Sequence, residues 1–224
     1  VPLTAALPTS TVRALAHGET FNLAPLMAIF GSAPLVSVRP SPEIAEWGGP
    51  SAVLEVGMND AILVELSETV GQNAARKLYH RFIQACAVDV ARLDPDLFEV
   101  PKEPTHESLS HALQAYEEEM DEPFPQDPTA QMASILRAMA RAWDGTTARI
   151  LRQAKGAPED AGLGLVVQEM ALGAGPAESG SGVIQFVSSD SGREKITGRY
   201  LSQSQGREAL EEGSESLFLS CDPR

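Results

Sequence analysis

The chain has 224 residues, 43% of them hydrophobic, and a formal charge of −14 at neutral pH. That supply of apolar residues excludes wholesale disorder, and the acidic balance excludes a nucleic-acid backbone or an anionic membrane as the main partner. No apolar run nears the ~20 residues that span a bilayer, the opening VPLTAALPTS does not read as a signal peptide, and Cys86 and Cys221 form no disulfide framework, so a cytoplasmic, reducing home is the expectation.

Residues 1–15 hold Pro2, Pro8 and a Thr/Ser cluster, and a short helix is expected over 10–16 with Ser10 or Thr11 as its cap. A second short helix is expected over 24–30, ended by Gly31. LVSV (35–38) alternates as a strand does and delivers Arg39 at its end, where Pro40 and Pro42 are expected to stop it. EWGGP (46–50) reads as a loop and 52–56 as another strand.

From Asp60 the apolar spacing changes to three and four, so 61–69, 73–93 and 106–120 read as amphipathic helices, the last capped by Thr105. Residues 94–122 hold ten carboxylates against one lysine, Lys102. FPQDP (124–128) is a proline-bounded connector. Asp127 or Thr129 then caps a helix over 129–142 that places Met132, Ile135, Leu136 and Met139 on one face, and a further helix over 146–154 carries Arg149 and Arg152. The helical segment reads as an insertion between two strand-bearing parts, which makes the class α+β.

The stretch 165–206 carries the most information. Its apolar runs 165–170 and 182–187 are too short for stable helices, and Val166, Val167, Val183 and Ile184 favour extended backbone. Between them Gly173, Gly175, Gly180 and Gly182, with Ser179 and Ser181, make either an anion-cradling loop or a plain flexible hairpin, the reading that pattern alone favours. The dinucleotide fingerprint fails because Glu178 stands where a glycine is required, and no Gly-Lys-Ser/Thr follows for a P-loop.

Arg39 has the address and chemistry for bidentate contact with a phosphate, although spacing alone favours an ordinary surface ion pair. His17, His80, His106 and His111 make no zinc-type pair, and no Gly-x-Ser-x-Gly elbow supports a serine hydrolase. Residues 198–207 read as an edge strand with Gln203 and Gln205 on one face, and Gln205 offers an oxygen to a metal or a hydrogen bond to a nucleotide.

Several pieces, in order, resemble the N-terminal nucleotide-binding domain shared by pyruvate phosphate dikinase and phosphoenolpyruvate synthase. LVSVR (35–39) is similar to that family's LVSVRSSA and VGMND (56–60) to its NLGLND. RFIQ (81–84), FPQDP (124–128), Trp143 and APED (157–160) match within and after the helical segment. VQEM (167–170) with SGSGV (179–183) resembles VQAM followed by DSGTGV, and GRYLSQSQG (198–206) resembles GEYLxxAQG.

The resemblance implies an ATP-grasp-like, two-lobed α+β domain with a helical insertion: a first lobe of 1–59 and 124–166, an insert of 60–123, and a second lobe of 167–224. It implies ATP and magnesium as cofactors. It further implies that Arg39 contacts the ATP phosphates and that Gln168 and Met170 border the adenine. Ser179, Gly180, Ser181 and Gly182 would close on the triphosphate, with Gln205 near metal and phosphates.

The departures from the family concern charge. The first lysine here is Lys77, inside the helical segment, where the family begins with a lysine-bearing GGKGANLAEM. EWGGPSAV (46–53) replaces its SMPGMMDT loop. Arg199 stands for the glutamate of GEYL, Val187 and Ser188 for the arginine and aspartate of TRDP, and the arginine of GIRTP falls near Ser214. Phosphoryl transfer relies on positioned cations that neutralise developing charge. The leading expectation is therefore a catalytically degenerate nucleotide-binding or regulatory module. The alternatives are an active kinase-type domain passing phosphate to a histidine on a partner chain, and an acidic interaction protein that binds no nucleotide.

Overall fold

The computed structural model describes residues 2–31, 35–175, 178–188, 190–206, 210 and 215–219. Cys221 and Ser214 lie outside them. The chain divides into two compact units, Val1–Glu65 with Ala75–Met170, and Leu66–Ala74 with Ala171–Arg224. Helices and antiparallel sheets mix in an α+β chain. No helix is long and apolar enough to cross a membrane.

The first unit is built on a four-stranded sheet of β1 (Thr4–Leu7), β2 (Val36–Pro42), β3 (Val53–Val56) and β4 (Leu163–Glu169), in the order β1-β4-β2-β3. Every neighbouring pair is antiparallel. Alternation sends Leu163, Leu165 and Val167 of β4 to the core with Leu7 and Val38. Two helices supply partners for that face: α1 (Thr9–Ala16) gives Val12 and Leu15, and α6 (Pro128–Asp144) gives Met132, Ile135, Leu136, Met139 and Trp143. The Asp127 side chain caps α6 by accepting from the amides of Thr129 and Ala130, and Pro128 occupies the first turn, where its missing N–H costs nothing.

Three local expectations are corrected. β2 runs on through Pro40 and Pro42, which pair with Leu165 and Leu163. The Leu35 carbonyl faces β4, where it accepts from Met170 N, so odd-numbered residues direct their polar groups to β4. The two prolines then direct theirs to the other side, beyond the last paired residue of β3, where no ladder bond is lost. β1 was not expected, and it forms by pairing with β4 from Thr4↔Gln168 to Leu7↔Leu165. Helix α1 begins at Thr9 after an extended Pro8 with no side-chain cap, because Ser10 and Thr11 already lie within its first turn.

The helical segment contains α3 (Asp60–Val70), α4 (Gln72–Ala85) and α5 (His106–Met120). The chain leaves the first unit within α3 and returns within α4. Instead of one helix over 73–93, α4 widens into a π-helical turn at Cys86–Ala91 and stops at Arg92, whose φ is 66°. Phe124 gathers the segment's aromatic rings edge-on, at 5.1 Å from Tyr116, 5.6 Å from Phe82 and 6.0 Å from Tyr79.

Beside Phe124 two glutamines bind the VGMND and FPQDP stretches together. Gln131, 1% exposed, accepts from Gly57 N at 2.9 Å and donates to the carbonyls of Met58 (2.9 Å) and Pro125 (2.7 Å). Gln126 accepts from Asp60 N and donates to the Tyr79 hydroxyl, which donates to Asp60 Oδ1. Burial above all holds the Tyr79 phenol well over its usual range, so it stays protonated.

Helix α5 starts on a capping box of Thr105 and Ser108. The Ser108 hydroxyl donates to the Thr105 carbonyl, so the buried His80, 3.2 Å away, must donate to it through Nε2. His80 Nδ1 is buried without a hydrogen-bond partner, and burial lowers the imidazole's pKa. The unfolded chain therefore takes up this proton at higher pH than the folded one, and stability rises with pH through that window. On acidification below about 6.5, the ordinary histidine value, the urea midpoint of the wild type should fall more steeply than that of His80→Gln. Parallel slopes would show that His80 stays neutral in both states or in neither.

The second unit's sheet is β5 (Gly180–Val187), β6 (Glu194–Ser202) and β7 (Leu217–Phe218), antiparallel in that order. Val183, Ile184, Phe186, Ile196, Leu217 and Phe218 on it are exposed. The strand expected over 198–207 at a sheet edge is instead β6, which ends at Ser202 and lies between β5 and β7. Gln203 turns with φ of 52°, so Gln203 and Gln205 lie past the strand rather than along one face of it.

Candidate functional site

The eight residues singled out from sequence fall into two groups. Arg39, Gln168 and Met170 belong to the first unit, whereas Ser179, Gly180, Ser181, Gly182 and Gln205 belong to the second.

In the first unit, Ser37 pairs with Gln168, and Gln168 pairs with Thr4 on the other side. Because side chains alternate, Arg39, Ser37, Gln168 and Thr4 share the face of the sheet turned away from α1 and α6. A continuous run of hydrogen bonds crosses that face. Arg39 Nε donates to Ser37 Oγ at 3.3 Å, and the Ser37 hydroxyl donates to the Gln168 carbonyl at 3.4 Å. Gln168 Nε2 donates to Thr4 Oγ1 at 2.8 Å, and Thr4 donates to the Pro2 carbonyl at 2.9 Å.

Among the described residues no carboxylate pairs with Arg39, so the surface ion pair that spacing alone favours does not form. Its guanidinium is exposed, steadied through Nε, and keeps both terminal nitrogens for a ligand. Met170 sits at the end of β4 with its sulfur accepting from Glu55 N at 3.1 Å. Ser37 and Thr4 escaped sequence reasoning as supports of Arg39 and Gln168. The alternation of LVSVR, which sets Ser37 on the face of Arg39, was the available signal for the first of them.

In the second unit, Gly180 and Gly182 open β5 rather than sit in the preceding loop. A Cβ on Gly180 would collide with the Leu201 carbonyl, and one on Gly182 with the Arg199 carbonyl. Close strand approach accounts for both glycines without a ligand. The amides that a phosphate would use have protein acceptors: Gly173 N donates to Gln205 Oε1 at 2.6 Å, Gly175 N to Gln203 Oε1 at 3.0 Å, and Ser181 N to Ser204 Oγ at 3.2 Å. Gln205 also donates through Nε2 to the Ala171 carbonyl. Its side chain thus clasps 171–173, and a nucleotide contact through it requires exchanging those bonds.

Gly180, Ser181 and Gly182 line a cavity of about 440 Å³ with Arg199, Tyr200 and Phe218. Arg199, at the position where the resemblance expects a metal-holding glutamate, lies over the Phe218 ring at 4.9 Å. Among the described residues no group of three or more His, Cys, Asp or Glu gathers. Arg199 and the carboxylate of Glu178 both line this cavity, so it offers charge of both signs.

No protein-family model matches the chain. It is similar to curated proteins that share one name. It is 29% identical over 195 residues to the pyruvate, phosphate dikinase of Clostridium symbiosum, covering 79% of this chain and 22% of that protein. The Rickettsia prowazekii pyruvate, phosphate dikinase is 27% identical over 203 residues, covering 81% of this chain and 23% of that protein. Maize chloroplastic pyruvate, phosphate dikinase 1 is 26% identical over 193 residues, 79% of this chain and 20% of that protein. The chain is a distant relative of the pyruvate, phosphate dikinases and spans about a fifth of their length.

Proposed function

We propose that this chain is a dikinase-type, ATP-grasp-like nucleotide-binding module that holds ATP without transferring its phosphate efficiently. The observation that carries the reading is the Arg39–Ser37–Gln168–Thr4 row, which holds an exposed guanidinium, without a carboxylate partner among the described residues, on the sheet face turned away from α1 and α6 in a relative of the dikinases. Arg39 binds phosphate oxygens through its terminal nitrogens. Gln168 and Met170, two and four residues from the Val166 that pairs with Arg39, border the base.

The degenerate part of the reading rests on charge. ATP-dependent phosphoryl transfer needs a metal ion and positioned cations around the γ-phosphate. The position expected to hold magnesium is an arginine stacked on an aromatic ring. A guanidinium there supplies positive charge but does not bridge phosphate oxygens as an octahedral cation does.

Calorimetric titration of Mg-ATP should give a saturable heat. Arg39→Ala should weaken binding by at least about tenfold, the cost of one charge-assisted contact, with no more than trace ADP formed. Absence of heat at millimolar ATP from a folded sample overturns the reading and leaves an acidic interaction module. Turnover in the presence of a histidine-bearing acceptor protein overturns the degenerate part and leaves a kinase acting in trans.

A further inference from the structure

A second site lies in the first unit and is independent of the nucleotide reading. A cavity of about 500 Å³ opens between α1, the C-terminal end of α6, α7 (Thr146–Ala154) and the turn at 159–163. That volume is within the range of small-molecule pockets.

Arg152, on α7, is 5% exposed, a burial that arginine almost never shows unless paired. Its guanidinium lies 3.7 Å over the Trp143 ring, and Nη1 donates to the Trp143 carbonyl at 2.6 Å. Trp143 is itself pinned by its indole N–H donating to the Ala161 carbonyl at 3.2 Å. One of five N–H donors is thereby used, and among the described residues no carboxylate forms an ion pair with Arg152. None of its nitrogens is both sealed from solvent and unbonded. The accessible space at Arg152 is this cavity and a smaller one of about 290 Å³ beside it, which Lys155 lines.

Arg149, three residues earlier on the same helix face, lines the larger cavity, as does Arg13, whose Nη2 donates to the Asp160 carbonyl at 3.2 Å. Burial lowers the Arg152 pKa, Asp144 raises it and Arg149 lowers it again. Asp144 offsets the repulsion from Arg149 but forms no ion pair with Arg152 among the described residues, so the buried guanidinium keeps donors that an oxyanion would engage. Asp144, Glu159 and Asp160 also line the cavity. A bare anion would therefore meet mixed charge, and a ligand that also carries hydroxyl or amino groups would satisfy both signs.

We propose that this cavity binds a small hydroxylated or amino-substituted oxyanion, its phosphate or carboxylate held by Arg149 and by the Arg152 guanidinium that lies on the Trp143 ring.

Tryptophan fluorescence of the full chain, titrated at low salt with glycerol phosphate and separately with malate, tests it. At least one probe should give a saturable change, and the more effective one identifies the oxyanion. Arg149→Ala, at an exposed position that leaves the fold undisturbed, should weaken binding about tenfold. Arg152→Lys should weaken it at least as much, because the ammonium keeps the charge but loses the planar fork. Arg39→Ala should leave it unchanged, which separates this site from the nucleotide site. Silence from both probes, or equal affinity in Arg149→Ala, overturns the proposal whether or not the Arg152 variant folds.

Discussion

Gln131→Leu is expected to lower the unfolding free energy by about 4 kcal/mol, read as a shift of the urea midpoint with an unchanged slope. Leucine fills much of the same volume, so the loss is polar. The substitution strands the Gly57 amide and the carbonyls of Met58 and Pro125, all of which lose their partner in the interior. Each buried orphan costs about 1–3 kcal/mol, and the added apolar contacts return part of the sum. Tyr79→Phe removes a hydroxyl from the neighbouring network but leaves Gln126 its bonds to Asp60 N and the Phe124 carbonyl, so about 1 kcal/mol is expected there. If Gln131→Leu falls within 1 kcal/mol of wild type, water takes over those three groups and the latch is not structural.

That latch explains why VGMND and FPQDP stand out in the chain. From sequence they are fragments 64 residues apart with no chemistry in common. In the folded unit one glutamine side chain reads the backbone of both, and Asn59 donates to the Gln126 carbonyl as well. They hold the helical segment's two ends together. Buried backbone at both stretches that must be satisfied gives them a structural duty of their own.

Elements whose information is local were readable from the chain. The Thr105 cap and the spacing of Met132, Ile135, Leu136 and Met139 define α5 and α6 through short-range rules, while the structure adds the Ser108 half of the capping box and settles the α6 cap on Asp127 rather than Thr129. Elements whose information lies in a partner were not. The four residues of β1 include two alanines and no β-branched run, and only the β4 edge makes them a strand. β2 crosses two prolines because β3 has ended beside them, a fact that no window around Pro40 contains. Periodicity is likewise blind to the π-helical turn at Cys86–Ala91, where one extra residue per turn shifts the face but keeps the apolar character.

The candidate site divides along the same line. Spacing alone favours an ordinary ion pair for Arg39 at a strand end, whereas β2 runs on to Pro42 and, among the described residues, no carboxylate pairs with the exposed guanidinium. The glycine-serine stretch was read for its flexibility, yet its glycines are required where strands approach and its amides are already bound. A glycine count cannot distinguish backbone that must approach a ligand from backbone that must approach another strand.

Gly173→Ala separates those two meanings. A Cβ at this buried position would strike the Ser204 carbonyl and come within 2.8 Å of the Gly180 carbonyl oxygen and 2.9 Å of its carbon. All three are backbone atoms held in place by neighbouring hydrogen bonds, so neither side gives way cheaply, and moving Gly173 breaks its bond to Gln205. Overpacking of this kind costs about 3 kcal/mol. Because the clash lies within the second unit, the β5 and β6 amides should lose hydrogen-exchange protection by roughly a hundredfold, while β2 and β4 keep theirs. If instead protection in β5 and β6 is unchanged and Mg-ATP binding is lost, the glycine serves close approach of a ligand, and the clasp made by Gln205 is a resting arrangement that nucleotide displaces. Loss of protection together with retained ATP binding would assign the nucleotide contacts to the Arg39 face alone and leave the second unit's glycines a purely structural duty.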